Sequence, residues 1–191
     1  NASDSTEIYQ EGLRIPPLKL FEGGKRNETM WSLIEKNVRI PIQVLGDLRA
    51  QLAACHIAET QFAELLRRYG LEKVDIYMEE VIDYAERLTR AAIAELPDGE
   101  WSFEDWIDDD GIDLDRPIRL FVKITKSGEE MVVDWTGSSE QVKGAINCSL
   151  SFTVAHSVGA IRCVLPLNIP SNDGVFRVIK VIAPPGTITN M

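Results

Sequence analysis

The sequence predicts an α+β fold, a long antiparallel helical hairpin followed by a small mixed or antiparallel sheet with a covering helix. Two changes of period carry that expectation. From Leu45 to Ala92 apolar residues recur at intervals of three and four, the helical spacing, whereas from Ile118 to Trp135 they alternate with polar ones, the spacing of strands. Between the two lies a stretch rich in carboxylates.

The elements follow in order. Asn1-Ala2 resembles a cloning scar and is set aside. Residues 3–40 read as an extended arm and a short helix. Ile15-Pro16-Pro17 favours extended backbone, because a residue before proline is driven from the helical region. Glu28 to Asn37 is predicted helical. Residues 41–97 read as the hairpin. Pro41 suits a first turn, where its missing N–H would be unsatisfied in any case. Leu45, Leu48, Leu52, Cys55, Phe62, Leu66 and Tyr69 form its first seam. Gly70 is expected in the left-handed C′ position, with Leu71 closing the cap. Val74, Tyr77, Val81, Ala85, Leu88 and Ala92 continue the period until Pro97-Asp98-Gly99 ends it. Residues 98–116 read as an acidic connector, because ten carboxylates and no Lys or Arg lie between Glu95 and Asp115. Residues 117–191 read as a small α/β region truncated at its C-terminus. It holds a β-hairpin turning at Lys126-Ser127-Gly128-Glu129, a helix capped by Ser149 and stopped by Pro166, and a strand from Val175 to Ala183.

Composition excludes several functions. Thirty acidic against twenty basic residues give a net charge of −10. Nucleic-acid binding requires a basic patch that releases counterions, and none is visible. No apolar run approaches the ~18 residues of a membrane span, and no signal peptide is visible, so a cytoplasmic location is expected. Three widely spaced cysteines, with Cys55 and Cys163 in apolar helical contexts, are expected as buried thiols of a reducing compartment.

Chemical motifs fail in turn. Asp108-Asp109-Asp110-Gly111 invites a calcium loop, but Gly111 at loop position six puts Trp106 first and Pro117 last, where carboxylates are needed. Gly23-Gly24-Lys25 is too short to cradle phosphate and lacks the Ser or Thr. His56 and His156 stand alone, without a zinc-ligand spacing, so no metal site is expected in this chain. Gly137-Ser138-Ser139 lacks the flanks of a nucleophile elbow. What remains is polar punctuation. Glu11, Arg14, Asn37, Arg39, Asp47, Asn172 and Arg177 are candidates for substrate or interface contacts, and no catalytic residue is assigned. Capping and turn hydrogen bonding is the plainer role for such residues, although a guanidinium such as Arg39 or Arg177 could hold a carboxylate or phosphate bidentately.

An ordered set of segments resembles the hydantoinase B/oxoprolinase family. The set begins with the run from Glu7 to Leu20, Asn37-Val38-Arg39-Ile40-Pro41, Gly46-Asp47-Leu48-Arg49-Ala50-Gln51 and Asp108-Asp109-Asp110-Gly111. It continues with Val133-Asp134-Trp135-Thr136-Gly137-Ser138-Ser139, Asn147-Cys148, the run from Ile169 to Arg177 and Pro184-Pro185-Gly186-Thr187-Ile188. The resemblance implies an internal fragment of the B subunit of an ATP-dependent hydrolase opening cyclic amides such as hydantoins and 5-oxoproline. Its relatives include ketone carboxylases, the alternative reading, and a non-catalytic interaction module is a third. It also implies an ATP-binding A-type partner and a divalent metal, both held outside this fragment. The fragment alone is then expected to catalyse nothing, to pack against missing N- and C-terminal parts of its own chain, and to self-associate when isolated.

Overall fold

The computed structural model describes residues 5–191, and the side chain of Glu11 lies outside what it describes. Asn1-Ala2, the suspected scar, also lies outside the described residues. The fold is α+β, and the chain divides into two compact units, residues 7–75 and residues 76–191 with Ser5 and Thr6.

The first unit contains one turn of helix α1 (Ile8–Glu11), a two-residue-per-strand hairpin β1 (Phe21–Glu22) and β2 (Lys25–Arg26), α2 (Glu28–Asn37) and α3 (Pro41–Tyr69). Gly23 and Gly24 form the hairpin turn at φ 55° and 77°. Two consecutive positive φ values match the right-handed twist of the strands and favour glycine twice. The arm is therefore less extended than its prolines suggested. Asn27 caps α2, its side chain accepting from the Met30 N–H at 3.2 Å. Replacing Asn27 with Ala should lower stability by about 1 kcal/mol, read by urea denaturation, because one of the orphan N–H groups loses its acceptor.

Trp31, Ile34 and Leu45 form this unit's core, with Leu20, Val38 and Leu48 packed against it. The distal seam of α3 differs from expectation. Cys55, Phe62 and Tyr69 are exposed, and only Leu45 of the predicted seam is fully buried. Gly70 has positive φ (82°), but its ψ of 153° is extended rather than left-handed helical. Leu71 is exposed rather than buried over the cap.

Helix α4 (Leu71–Ala94) enters the second unit at Ile76. There follow β3 (Gly99–Ile107), β4 (Ile118–Ser127), β5 (Glu130–Asp134), α5 (Leu150–Arg162), the single turn α6 (Asp173–Phe176) and β6 (Ile179–Ile182). The sheet is mixed, in the order β3-β4-β5-β6, antiparallel except for the parallel β5–β6 pair. Two expectations are corrected here. Nine residues of the acidic connector are strand β3, because Trp101, Phe103 and Ile107 alternate with Glu100, Ser102 and Glu104 beneath the charge count. Val175 and Phe176 belong to the helical turn α6 rather than to the last strand.

Register sorts the sheet into two faces. Trp101 opposes Ile124, and Ile124 opposes Val133, which opposes Val181. This apolar face meets Ile93 of α4 and Val158 and Ile161 of α5 in the main core. On the other face Arg119 binds Glu104 at 2.6 Å and lies 4.7 Å from the Phe121 ring centroid.

Candidate functional site

The seven predicted residues are divided between the units. Glu11, Arg14, Asn37, Arg39 and Asp47 belong to the first, Asn172 and Arg177 to the second. Arg14 donates to the Tyr9 hydroxyl at 2.9 Å and lies over the Tyr9 ring. Asn37 donates from Nδ2 to the Leu33 carbonyl at 2.7 Å, a local bond back onto the last turn of α2. Arg39 and Asp47 are exposed, one just before α3 and one in its first turns.

Asn172 and Arg177 are brought together at α6, against α4. Asn172 caps α6, accepting from the Gly174 N–H at 2.9 Å, and its Nδ2 donates to the Val81 carbonyl at 3.2 Å. The Arg177 guanidinium is engaged by carboxylates of its own unit: Asp83 at 2.9 Å, Glu86 at 3.4 Å, Asp173 at 3.7 Å and Glu79 at 3.9 Å. Hydrogen bonding by Asp83 raises its pKa further. Glu86 is held below the usual carboxylate range chiefly by Arg90, 2.8 Å away. Two of the Arg177 contacts, to Asp83 and Glu86, are hydrogen bonds from Nη1.

Sequence reasoning missed the structural role of Asp110. It is buried, and its carboxylate accepts from the N–H groups of Asp113 (2.7 Å) and Ile112 (2.9 Å) at Oδ1 and of Gly144 (3.0 Å) at Oδ2. Those backbone donors, Asp113 foremost, pull its pKa to about 2. The Asp108–Gly111 run is thus a turn stapled to a distant loop. The signal was available: an Asp followed by residues whose N–H groups lack partners is an Asx turn.

The second unit also contains an apolar cavity of about 330 Å³. Its floor is Leu120, Val122, Ile124 and Val133, and its wall is the flank of α5 with Phe152, His156 and Ala160. Polar groups at its edge are already engaged. Trp135 Nε1 donates to Ser157 Oγ at 3.0 Å, Ser157 donates to the Thr153 carbonyl, and Thr153 donates to the Thr189 carbonyl. His156 stacks on Phe152 with ring centroids 3.8 Å apart. Burial raises the Cys148 thiol, which keeps it protonated and weakly nucleophilic at neutral pH.

Cys55 and Cys163 are exposed, contrary to the buried thiols expected. The period placed them on apolar faces, but the α3 seam is uncovered and Cys163 lies just past α5, its Sγ donating to the Gly159 carbonyl. A thiol-reactive disulfide reagent at pH 8 should therefore modify Cys55 and Cys163 severalfold faster than Cys148, as peptide mapping of the labelled protein would report.

Among the described residues no group of three or more His, Cys, Asp or Glu side chains is placed to hold a metal ion. Gly23-Gly24 forms the turn of the β1–β2 hairpin. No described helix is long and apolar enough to cross a membrane.

Comparison with known proteins gives this geometry its setting. The family model described as Hydantoinase B/oxoprolinase matches residues 1–191. The chain belongs to that family. Caprolactamase subunit beta of Pseudomonas jessenii is 34% identical over 98% of the chain, which spans 32% of that protein. The crystal structure of the ATP-dependent caprolactamase from the same organism superimposes with a TM-score of 0.80, again over 98% of the chain and 32% of its own. A nucleotide-free acetone carboxylase has the same fold, with a TM-score of 0.82 at 16% identity over 98% of the chain and 26% of its own. The chain thus spans about a third of the caprolactamase subunit. Of the family segments named from the sequence, Asn37–Pro41 falls on the α2–α3 junction and Asp108–Gly111 on the Asp110 turn, whereas Gly46–Gln51 lies within α3.

Proposed function

We propose that these 191 residues are a segment of the B-type subunit of an ATP-dependent hydrolase that opens cyclic amides such as hydantoins and 5-oxoproline. Within it the segment serves assembly and support of a site completed by other polypeptide. The observation that carries this reading is the likeness to the caprolactamase subunit over 98% of the chain, in a protein three times as long. An unstrained amide resists water because its leaving group is poor, so coupling to ATP suits this substrate class. The nucleotide and a divalent metal belong to parts outside the described residues, with an A-type subunit or domain as the ATP-binding partner. Arg14, Arg39, Asp47 and Glu11 are the candidates for contacts with those parts. Asn37, Asn172 and Arg177 act through local structure instead, holding a helix end and the α4–α6 contact.

The test is ADP release by the complete subunit purified with its partner, offered hydantoin, 5-oxoproline or caprolactam, and separately acetone with bicarbonate. Stimulation by a cyclic amide without bicarbonate is expected. Stimulation only by ketone with bicarbonate would make the protein a carboxylase subunit, and silence toward all of them would overturn the reading.

A further inference from the structure

The four-stranded sheet has a layer only half covered. Four strands spaced about 4.8 Å apart make a face roughly 19 Å wide, whereas a helix with its side chains is about 10–12 Å across. A single helix therefore spans about two strands. α5 does so through Val158 and Ile161, which are buried with Val133 of β5 and Ile179 of β6, and α4 contributes Ile93 to the same core. The same face continues onto β4, where Ile118 is buried and Val122 and Ile124 are partly buried against the core, and then onto β3, whose aromatic residues are uncovered. Trp101 is 49% exposed and Phe103 67% exposed, and Ile107 follows them along the same side of β3. Beside them Val122 and Ile124 floor the 330 Å³ cavity against the flank of α5. β3 is also the sheet's edge strand, nine residues long.

We propose that a second amphipathic helix, supplied by polypeptide of the same chain outside these 191 residues, lies beside α5 in this groove and completes the layer. This rests on the reading of the chain as a segment of a longer subunit. Three observations select that occupant. The open strip is one helix wide, and its groove already has one helical wall. The caprolactamase chain that retains this fold is about three times as long, which provides the polypeptide. A long edge strand with uncovered Trp and Phe invites aggregation, so its cover must arrive with folding rather than with a partner that dissociates. The strip is apolar except for Asp105, which lies between Phe103 and Ile107 near Asp108 and Asp109. The arriving helix therefore carries an apolar stripe with Lys or Arg toward that end.

The experiment uses the complete subunit with Cys55→Ser and Cys163→Ser, purified without its partner. Phe103→Cys is labelled with a maleimide and followed by peptide mass spectrometry, with Ser102→Cys on the opposite, polar face as the exposed reference. The proposal expects Cys at 103 to react at least about tenfold more slowly than the reference, because labelling waits on local opening. That protection should be independent of protein concentration. Trp101→Cys provides the same readout if the first variant fails to fold. Labelling as fast as the reference in the lone subunit overturns the proposal, whether the site then stays open or is shielded only by the partner subunit. Protection that grows with protein concentration also overturns it, in favour of a second copy. None of these outcomes depends on substrate turnover, so a failure here is separable from a failure of the proposed activity.

Discussion

Replacing Gly174 with alanine should destabilise the protein by about 3 kcal/mol or more, at the upper end of what overpacking a buried site costs. A Cβ there would overlap the Ile82 carbonyl oxygen and stand 2.7 Å from the Glu86 backbone nitrogen. Both obstacles are backbone of α4, which cannot rotate away as a side chain could. The turn α6 would have to lift from the helix, and the Asn172–Val81 hydrogen bond and the Arg177–Asp83 ion pair would lift with it. Gly159 provides the contrast. It lies in the interior of α5 with open space where a Cβ would go. Gly159→Ala should raise stability by about 0.5–1 kcal/mol, because glycine loses more backbone entropy in a helix. Urea denaturation of the two variants should move in opposite directions, and equal shifts would contradict the close approach of α6 to α4.

The second large effect is expected at Asp110, as a loss of stability in acid. Its pKa is about 2 in the folded protein against an ordinary value of 3.8. As pH falls, the unfolded chain takes up the proton first. Stability is therefore fully present above about pH 4 and drains away as the pH falls toward 2. Glu86, Asp98 and Asp134, whose pKa values are also lowered, add to the same trend. Asp110→Asn should lower the melting temperature at neutral pH by several degrees, since an amide can accept at one end only and would turn its NH2 toward an N–H. Its melting temperature should also fall less steeply than the parent's between pH 4 and 2. Parallel curves for the two proteins would show that Asp110 does not titrate as described.

The fold was legible wherever one signal dominated. α2 lies at the predicted residues because Asn27 and the period agree, and the β4–β5 hairpin turns at Gly128-Glu129, within the predicted Lys126–Glu129 turn. β3 was obscured by charge: a window holding ten carboxylates reads as solvated, although Trp101 and Phe103 alternate within it. The α3 seam misled in the opposite direction. Apolar periodicity reports a face and not what lies on it, and Cys55, Phe62 and Tyr69 of this one are exposed. The candidate site was less legible still. Arg177 finds its partners on α4, some ninety positions earlier in the chain, and only the folded register of α6 on α4 discloses them. Local capping by Asn37 and Asn172 needs only neighbouring residues, which is why the plainer reading of those two was available from the start.

The parallel pairing of β5 with β6 also fixes an order of events during synthesis. β3, β4 and β5 are joined by short connections and can pair as soon as they leave the ribosome. β6 arrives only after residues 135–178, including α5, have been made and the chain has folded back across the sheet. Until then the far edge of β5 is an open template, and closing so long a connection is slow relative to hairpin formation. A nascent chain stalled before Ile179 would thus expose two unpaired edges at once, those of β3 and β5.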